Sequence, residues 1–325
     1  MAERVLVIGE SLIDIVHRMD GTIEEHPGGS PLNVAIGLAR LGHAVDYATQ
    51  FADDAYGALI RVHLAKERLL RLTPHSDDAQ RTSTGVATLD ATGAATYEFD
   101  MAWDVRHAID EAPVGHLHTG SIAATLAPGD ADVLAAVERA AATGTVSYDP
   151  NARPSLMGES AGARAKLECF IAAADVVKGS DEDVAWLYDG ADLDEIMTRW
   201  GRLGASLVCM TRGKHGSRTL MVGTGERVDI PAGQTVVVDT VGAGDSFTAG
   251  LISGLLDAGL LGSASARERL RAARLVDVHP ALIRATSCAD VTVSRAGANP
   301  PTRSELPGYD GVDSPAPAHP LSSTR

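Results

Sequence analysis

Strand-like and helix-like segments alternate along most of this chain, and that alternation limits its fold more than any other feature. Val5-Leu-Val-Ile8 is an aliphatic run that reads as a first strand, closed by Gly9. Asn33 to Leu41 reads as an alanine-rich helix, Val45 to Phe51 as a strand and Ala55 to Leu70 as an amphipathic helix. Asp130 to Thr143 again has helical spacing. Strands are expected at Thr145 to Tyr148, Val176-Val177, Leu207 to Thr211 and, as the end of a buried run, Val236-Val-Val238. Strands linked through helices run parallel, and a parallel sheet hides both faces under helices. The expected class is α/β.

One stretch departs from the alternation. Residues 84–99 form two β-type runs around Asp90-Ala-Thr-Gly93, the pattern of a hairpin. Residues 13–18 and 21–23 are expected to add strands to it. The stretch 308–325 is rich in Pro and Ser and is expected to be disordered, leaving residues 1–307 as one domain.

Composition narrows the partners. Hydrophobic residues make up 45% of the chain and aromatic residues only 4%, so aliphatic side chains must fill most of the core. A net charge of −15 lacks the basic footprint that nucleic acid requires. It is compatible with a phosphorylated ligand, because amides, lysines and Mg²⁺ set the field at a phosphate site. Cys169, Cys209 and Cys288 stand in apolar runs and read as reduced, buried thiols. No apolar run approaches a membrane span, and the first residues carry no basic leader pattern; a cytoplasmic protein is expected.

The strongest chemical signal is Asp239-Thr-Val-Gly-Ala-Gly-Asp-Ser-Phe-Thr-Ala-Gly-Leu-Ile252. Gly242, Ala243 and Gly244 open a helix read over Ser246 to Leu256. The free N–H groups of such a turn sit at the positive end of the helix dipole and bind an anion. Asp245 lies in the same turn. A carboxylate beside an anion hole suits phosphoryl transfer to an alcohol: Asp245 accepts the hydroxyl proton while the amides stabilise the transferred group. Other nucleotide fingerprints are missing. No Gly-x-x-x-x-Gly-Lys-Ser/Thr occurs, and Gly9-Glu10-Ser11-Leu12 keeps only the first glycine of a dinucleotide-binding turn.

This segment resembles the C-terminal signature of the ribokinase-like (PfkB) family of sugar kinases. Pro27-Gly-Gly-Ser-Pro-Leu-Asn33-Val-Ala35, Leu41-Gly42 and Asp53-Asp54-Ala-Tyr-Gly57 resemble its N-terminal signature, with Ala52 where most members carry glycine. The resemblance covers about residues 4–307. It implies a ribokinase-like three-layer α/β/α sandwich with a mostly parallel central sheet. It also makes the hairpin part of a small β-sheet lid, with strands within about 12–24 and 82–101. ATP and Mg²⁺ follow as cofactors and a sugar as substrate; K⁺, and a homodimer through the lid, are compatible with it.

Asp14 lies just past the first strand, where open α/β sheets bind ligands, and can accept from two vicinal hydroxyls. Helix capping is the competing use of an Asp there. By resemblance Asp14, Gly28, Gly29 and Asn33 hold the sugar. Tyr97 and Phe99 alternate on a lid strand and face either the sugar or the lid's own packing. Asp149-Pro-Asn151-Ala-Arg153 resembles the Asp-x-Asn-x-Arg pattern of fructokinases and ketodeoxygluconate kinases, which puts Asn151 and Arg153 near the substrate. Lys178, Ser180 and Asp183 fall where the family ties Mg²⁺ and phosphate, with Ser180 and Asp183 replacing the family's Asn and Glu. An acidic first turn of a helix accounts equally well for those carboxylates. Thr211, Gly213 and Gly216 match a nucleotide-lining Thr-x-Gly-x-x-Gly element. Asn299 belongs to a late loop near adenine, and Asp239 would assist K⁺. Gly9-Glu10-Ser-Leu-Ile-Asp14, His26-Pro-Gly-Gly-Ser-Pro-Leu-Asn33 and Leu117-His118-Thr119-Gly120-Ser121 lean toward fructokinases, with fructose 6-phosphate as product. Tagatose, ribose or 2-keto-3-deoxygluconate as substrate, or a non-catalytic sugar sensor on the same fold, are the alternatives.

Overall fold

Val5–Ile8 is buried at every residue, which requires a strand in the middle of a sheet covered on both faces. The computed structural model describes residues 4–17, 21–89, 95–109 and 112–307. The expected hairpin turn at 90–93 and the 308–325 tail lie outside these. The described strands begin with β1 (Val5–Ile8), β2 (Leu12–His17), β3 (Ile23–Gly28), β4 (Val45–Ala48), β5 (Leu70–Leu72), β6 (Ser83–Leu89) and β7 (Ala95–Asp100). They continue with β8 (His116–Gly120), β9 (Thr145–Asp149), β10 (Val176–Ser180), β11 (Leu207–Thr211), β12 (Ser217–Met221) and β13 (Arg227–Ile230).

Nine of them form the main sheet in the order β13-β12-β11-β10-β9-β8-β1-β4-β5. Every pair is parallel except β11–β12 and β12–β13, an antiparallel edge. Side chains alternate between two separate cores. Val5, Val7, Leu207 and Cys209 face the helices Ser30–Arg40, Ala243–Asp257 and Leu275–Val293. Leu6, Ile8, Val208 and Met210 face Gly129–Thr143, Ser160–Ala173 and Leu193–Leu203. The result is three layers. The remaining strands pair as β3-β2-β6-β7, a small separate sheet. It is tied to the body through Ile13 and Ile15, which are buried in the first core.

Several elements depart from expectation. The helix from Ala55 ends at Leu64, and Leu70–Leu72 becomes an edge strand paired to β4, so sheet pairing overrides the helical propensity of Lys66-Glu-Arg-Leu-Leu70. Helix Ser30–Arg40 begins three residues before Asn33, with Pro31 in its first turn. Val236, Val237 and Val238 are not a buried strand: each is more than 60% exposed. Their segment is extended, and its backbone reaches Val293 O rather than a neighbouring strand. Cys209 and Cys288 are buried as expected, but Cys169 lies on the outer face of its helix and is exposed. Ala52 has no positive φ, so alanine fits there without strain. Among the described residues no helix is long and apolar enough to cross a membrane.

Candidate active site

The ends of β9, β10 and β11 face the start of helix Ala243–Asp257. Gly242 caps that helix at φ 73°, a left-handed conformation that favours glycine, and a side chain there would press on Ala298. Asp245 follows in the first turn. Ser30 Oγ donates to its Oδ1 at 2.6 Å and Asn33 Nδ2 to its Oδ2 at 2.8 Å. Ser30 and Asn33 stand three apart on one face of their helix, so both reach the same carboxylate. Burial raises the Asp245 carboxyl, against the lowering effect of these two donors and of Lys178, while Asp149 raises it further.

Lys178 Nζ lies 2.9 Å from Asp149 Oδ2 in a buried pair, and a Cβ on Gly244 would be 3.3 Å from the same nitrogen. Burial lowers the Lys178 ammonium, but Asp149, Asp183 and Asp245 together more than offset it, and its pKa is raised. A buried charge pair of this kind costs desolvation that only good geometry repays. Here Asp149 also accepts from Thr248 Oγ1 at 3.1 Å and from Asn151 N at 3.2 Å.

On the other side, Asp14 lies in β2 between His26 and Gly85 in register. A side chain at Gly28 would overlap its carboxylate, so the glycine makes room for it. Gly29, at φ 121°, passes so close to Glu10 O that no Cβ fits. Phe99 packs against Gly85 beside Asp14. Tyr97 pairs with Ala87 through the backbone; the expectation for its side chain lies outside the described residues. Asp14 opens onto the cleft, yet the protein around it raises its carboxyl to about 6, with Arg153 and His26 pulling it down. Glu10 is 3% exposed, and burial raises it to about 7 against Ser121 and Arg153. Asn151, at φ 37°, accepts from Arg153 Nη1 at 2.9 Å, while its own Nδ2 is buried without a partner.

A cavity of about 600 Å³ opens beside the Gly242 turn. Ser180, Thr211, Gly213, Gly216, Ala243 and Gly244 line it, which brings together most of the residues expected at a nucleotide. Asn299 does not join them: it accepts from Arg40 Nη1 at 2.6 Å, and Arg40 draws it to the end of helix Ser30–Arg40. Asp183 Oδ1 accepts from Ala152 N at 2.7 Å, and its Oδ2 from Ser180 N and Oγ at 2.8 and 2.7 Å. Three of about four lone-pair sites are thus spent on capping the helix and pinning the 149–153 loop. Asp239 is similarly engaged, accepting from Val241 N at 3.0 Å and Gly297 N at 2.8 Å; these amides lower its pKa. Sequence reasoning missed Ser30, Asp149 and Thr248 as partners in the site. It also missed the cavity wall of Thr286, Ala289, Asp290 and Val293, whose helical spacing was the available signal.

A buried carboxylate at a glycine-capped helix start beside a cavity of about 600 Å³ is equipped to pass a phosphoryl group to a hydroxyl. Known proteins agree. The pfkB family carbohydrate kinase profile matches residues 2–305. The chain is 35% identical over 271 residues to a fructokinase of Klebsiella pneumoniae, covering 80% of this chain and 87% of that one. It is 32% identical over 306 residues to a fructokinase of Salmonella typhimurium, covering 92% and 95%. A solved fructokinase from Vibrio cholerae O395, with fructose, ADP and calcium ion bound, superposes at a TM-score of 0.77 and 25% identity over 91% of this chain and 94% of that one. With a family match over nearly its whole length and the ribokinase-like sandwich and lid beneath it, this protein belongs to the pfkB family of carbohydrate kinases.

Proposed function

We propose that the protein phosphorylates D-fructose with ATP, giving fructose 6-phosphate and ADP. The observation that carries the mechanism is the Asp245 carboxylate, fixed by Ser30 and Asn33 at the start of helix Ala243–Asp257. Asp245 takes the proton of the attacking hydroxyl; the freed oxygen bonds to the γ-phosphorus as the bond to the β-phosphate oxygen breaks. The N–H groups after Gly242 and the Lys178 ammonium stabilise the charge that the phosphoryl group carries. A carboxylate whose pKa is raised toward the working pH is the better base for this step. Asp14, Gly28, Gly29 and Phe99 form the sugar bed, with Asn151 and Arg153 at its edge. The names of the bacterial relatives favour fructose over tagatose, ribose or a sugar acid.

Among the described residues no three metal-binding side chains converge. Mg²⁺ would be carried largely on nucleotide phosphates and water, as is usual for this ion. Asp181 and Glu182, which line the cavity beside the cap made by Asp183, would hold it, and it would shield phosphate charge. K⁺ would be held by Asp239 with the 294–298 loop.

A coupled ADP assay over ketoses, aldoses, nucleosides and sugar acids tests the assignment. ADP release should be fastest with fructose, and the product should carry phosphate on O6. Faster release with ribose or 2-keto-3-deoxygluconate would replace the substrate; none with any sugar would support a non-catalytic sensor.

A further inference from the structure

The wall of the cavity formed by helix Leu275–Val293 is apolar except at two positions, Thr286 and Asp290. Asp290 is half-buried, and its Oδ1 accepts from Gly233 N at 3.1 Å. A Cβ at residue 233 would overlap the carboxylate, so glycine there lets the group lie flat against the backbone. Among the described residues no cation pairs with Asp290 and no donor reaches Oδ2. Burial raises this carboxyl and the Gly233 amide opposes it. Around it stand Ala232, Val237, Ala289 and Val293, apolar surface suited to the flat face of a heterocycle. Val237 is 61% exposed, as a wall awaiting a ligand would be.

We propose that Asp290 selects the nucleobase, with its Oδ2 accepting a hydrogen bond from an exocyclic amino group such as adenine N6. This rests on the cavity being the nucleotide site of the proposed kinase. The chemistry is directional. An acceptor-only carboxylate welcomes an amino group, meets repulsion from a carbonyl at the same position and gains nothing from a bare C–H. The apolar wall supplies affinity for any purine, and Asp290 supplies the discrimination.

Calorimetric binding of ATP, ITP and purine riboside triphosphate to the full chain, without sugar, tests this. The three nucleotides share ribose and phosphates; purine riboside triphosphate differs from ATP only at position 6 (hydrogen for amine), while ITP has a carbonyl there and a proton on N1. Wild-type protein should bind ATP roughly tenfold or more tighter than either analogue, the scale of a hydrogen bond to a charged group. Asp290→Ala should bring ATP and purine riboside triphosphate to near parity. Asp290→Asn keeps an oxygen for Gly233 N–H and turns an NH₂ toward the base, so it should favour ITP over ATP. Equal wild-type affinity for ATP and purine riboside triphosphate overturns the proposal without any variant. An ATP-to-ITP ratio unchanged in both variants does the same. Wild-type protein that binds none of the three overturns the nucleotide site itself, a separate failure from loss of base selection alone.

Discussion

Two carboxylates beside the sugar cleft have different duties, and their surroundings separate them. In the proposed reaction Asp14 accepts from two sugar hydroxyls and must be ionised to do so; burial raises its carboxyl to about 6. Sugar affinity should therefore fall as pH drops through about 6, while nucleotide affinity measured alone stays level. Replacing Asp14 by Ala should weaken sugar binding by about 2–4 kcal/mol, because bound hydroxyls lose a charged partner. Equal loss of sugar and nucleotide binding by titration calorimetry would make Asp14 a support of the fold instead. Glu10 works through stability. Its folded pKa, about 7, lies well above the ordinary glutamate value, so its contribution is fully present below that ordinary value and is lost as pH rises through 7. Glu10→Gln should therefore raise the melting temperature relative to wild type more at pH 8 than at pH 5. A pH-independent difference between the two proteins would refute that linkage.

At the scale of elements, one carboxylate joins the body to the lid. Asp54 caps helix Ala55–Leu64 by accepting from Gly57 N at 2.7 Å. It also accepts from Thr82 Oγ1 at 2.7 Å and Thr82 N at 3.0 Å, immediately before β6. Ser83 Oγ accepts from Ala102 N at 3.0 Å, pinning both arms of the hairpin at their base. These bonds fix Thr82 and Ser83, so closure of the lid in the proposed reaction is expected beyond Ser83. Fructose without nucleotide should slow amide exchange in β6 and β7, since a water-excluding site must close over the sugar. Asp54→Ala should cost about 1–2 kcal/mol of stability, the range for a lost cap, and speed exchange at Thr82. Unchanged exchange there would separate the lid from the cap.

The sequence revealed elements and motifs better than it revealed partners. Strand β11 and helix Gly129–Thr143 follow from local patterning, because each has a clear period and a clear stop. Leu70–Leu72 does not, since only its long-range pairing with β4 makes it a strand. Val236–238 depart for the opposite reason: the triplet is β-prone yet exposed, bonded through its backbone to Val293 O, with Val237 on the cavity wall. In the site, the glycine-capped helix start and the Asp245 carboxylate in its first turn are legible because both are local to one segment. The resemblance puts Asn33 at the sugar, and only the fold shows that its amide also holds Asp245 across 212 positions of sequence. The Lys178–Asp149 pair was equally hidden, because it joins two strand ends that only the fold brings together.

For the whole molecule, the three layers set the starts of helices Ser30–Arg40 and Ala243–Asp257 together, so that Ser30 and Asn33 of one hold the Asp245 carboxylate of the other. The central claim is that Asp245 accepts the hydroxyl proton there. Single-turnover phosphoryl transfer by Asp245→Asn, with sugar and nucleotide binding measured on the same protein, tests it most directly. Asn keeps the shape and can still accept from Ser30, but it cannot take a proton. Both ligands should bind nearly as before while transfer slows by about 100-fold or more; transfer at close to the wild-type rate would contradict the account.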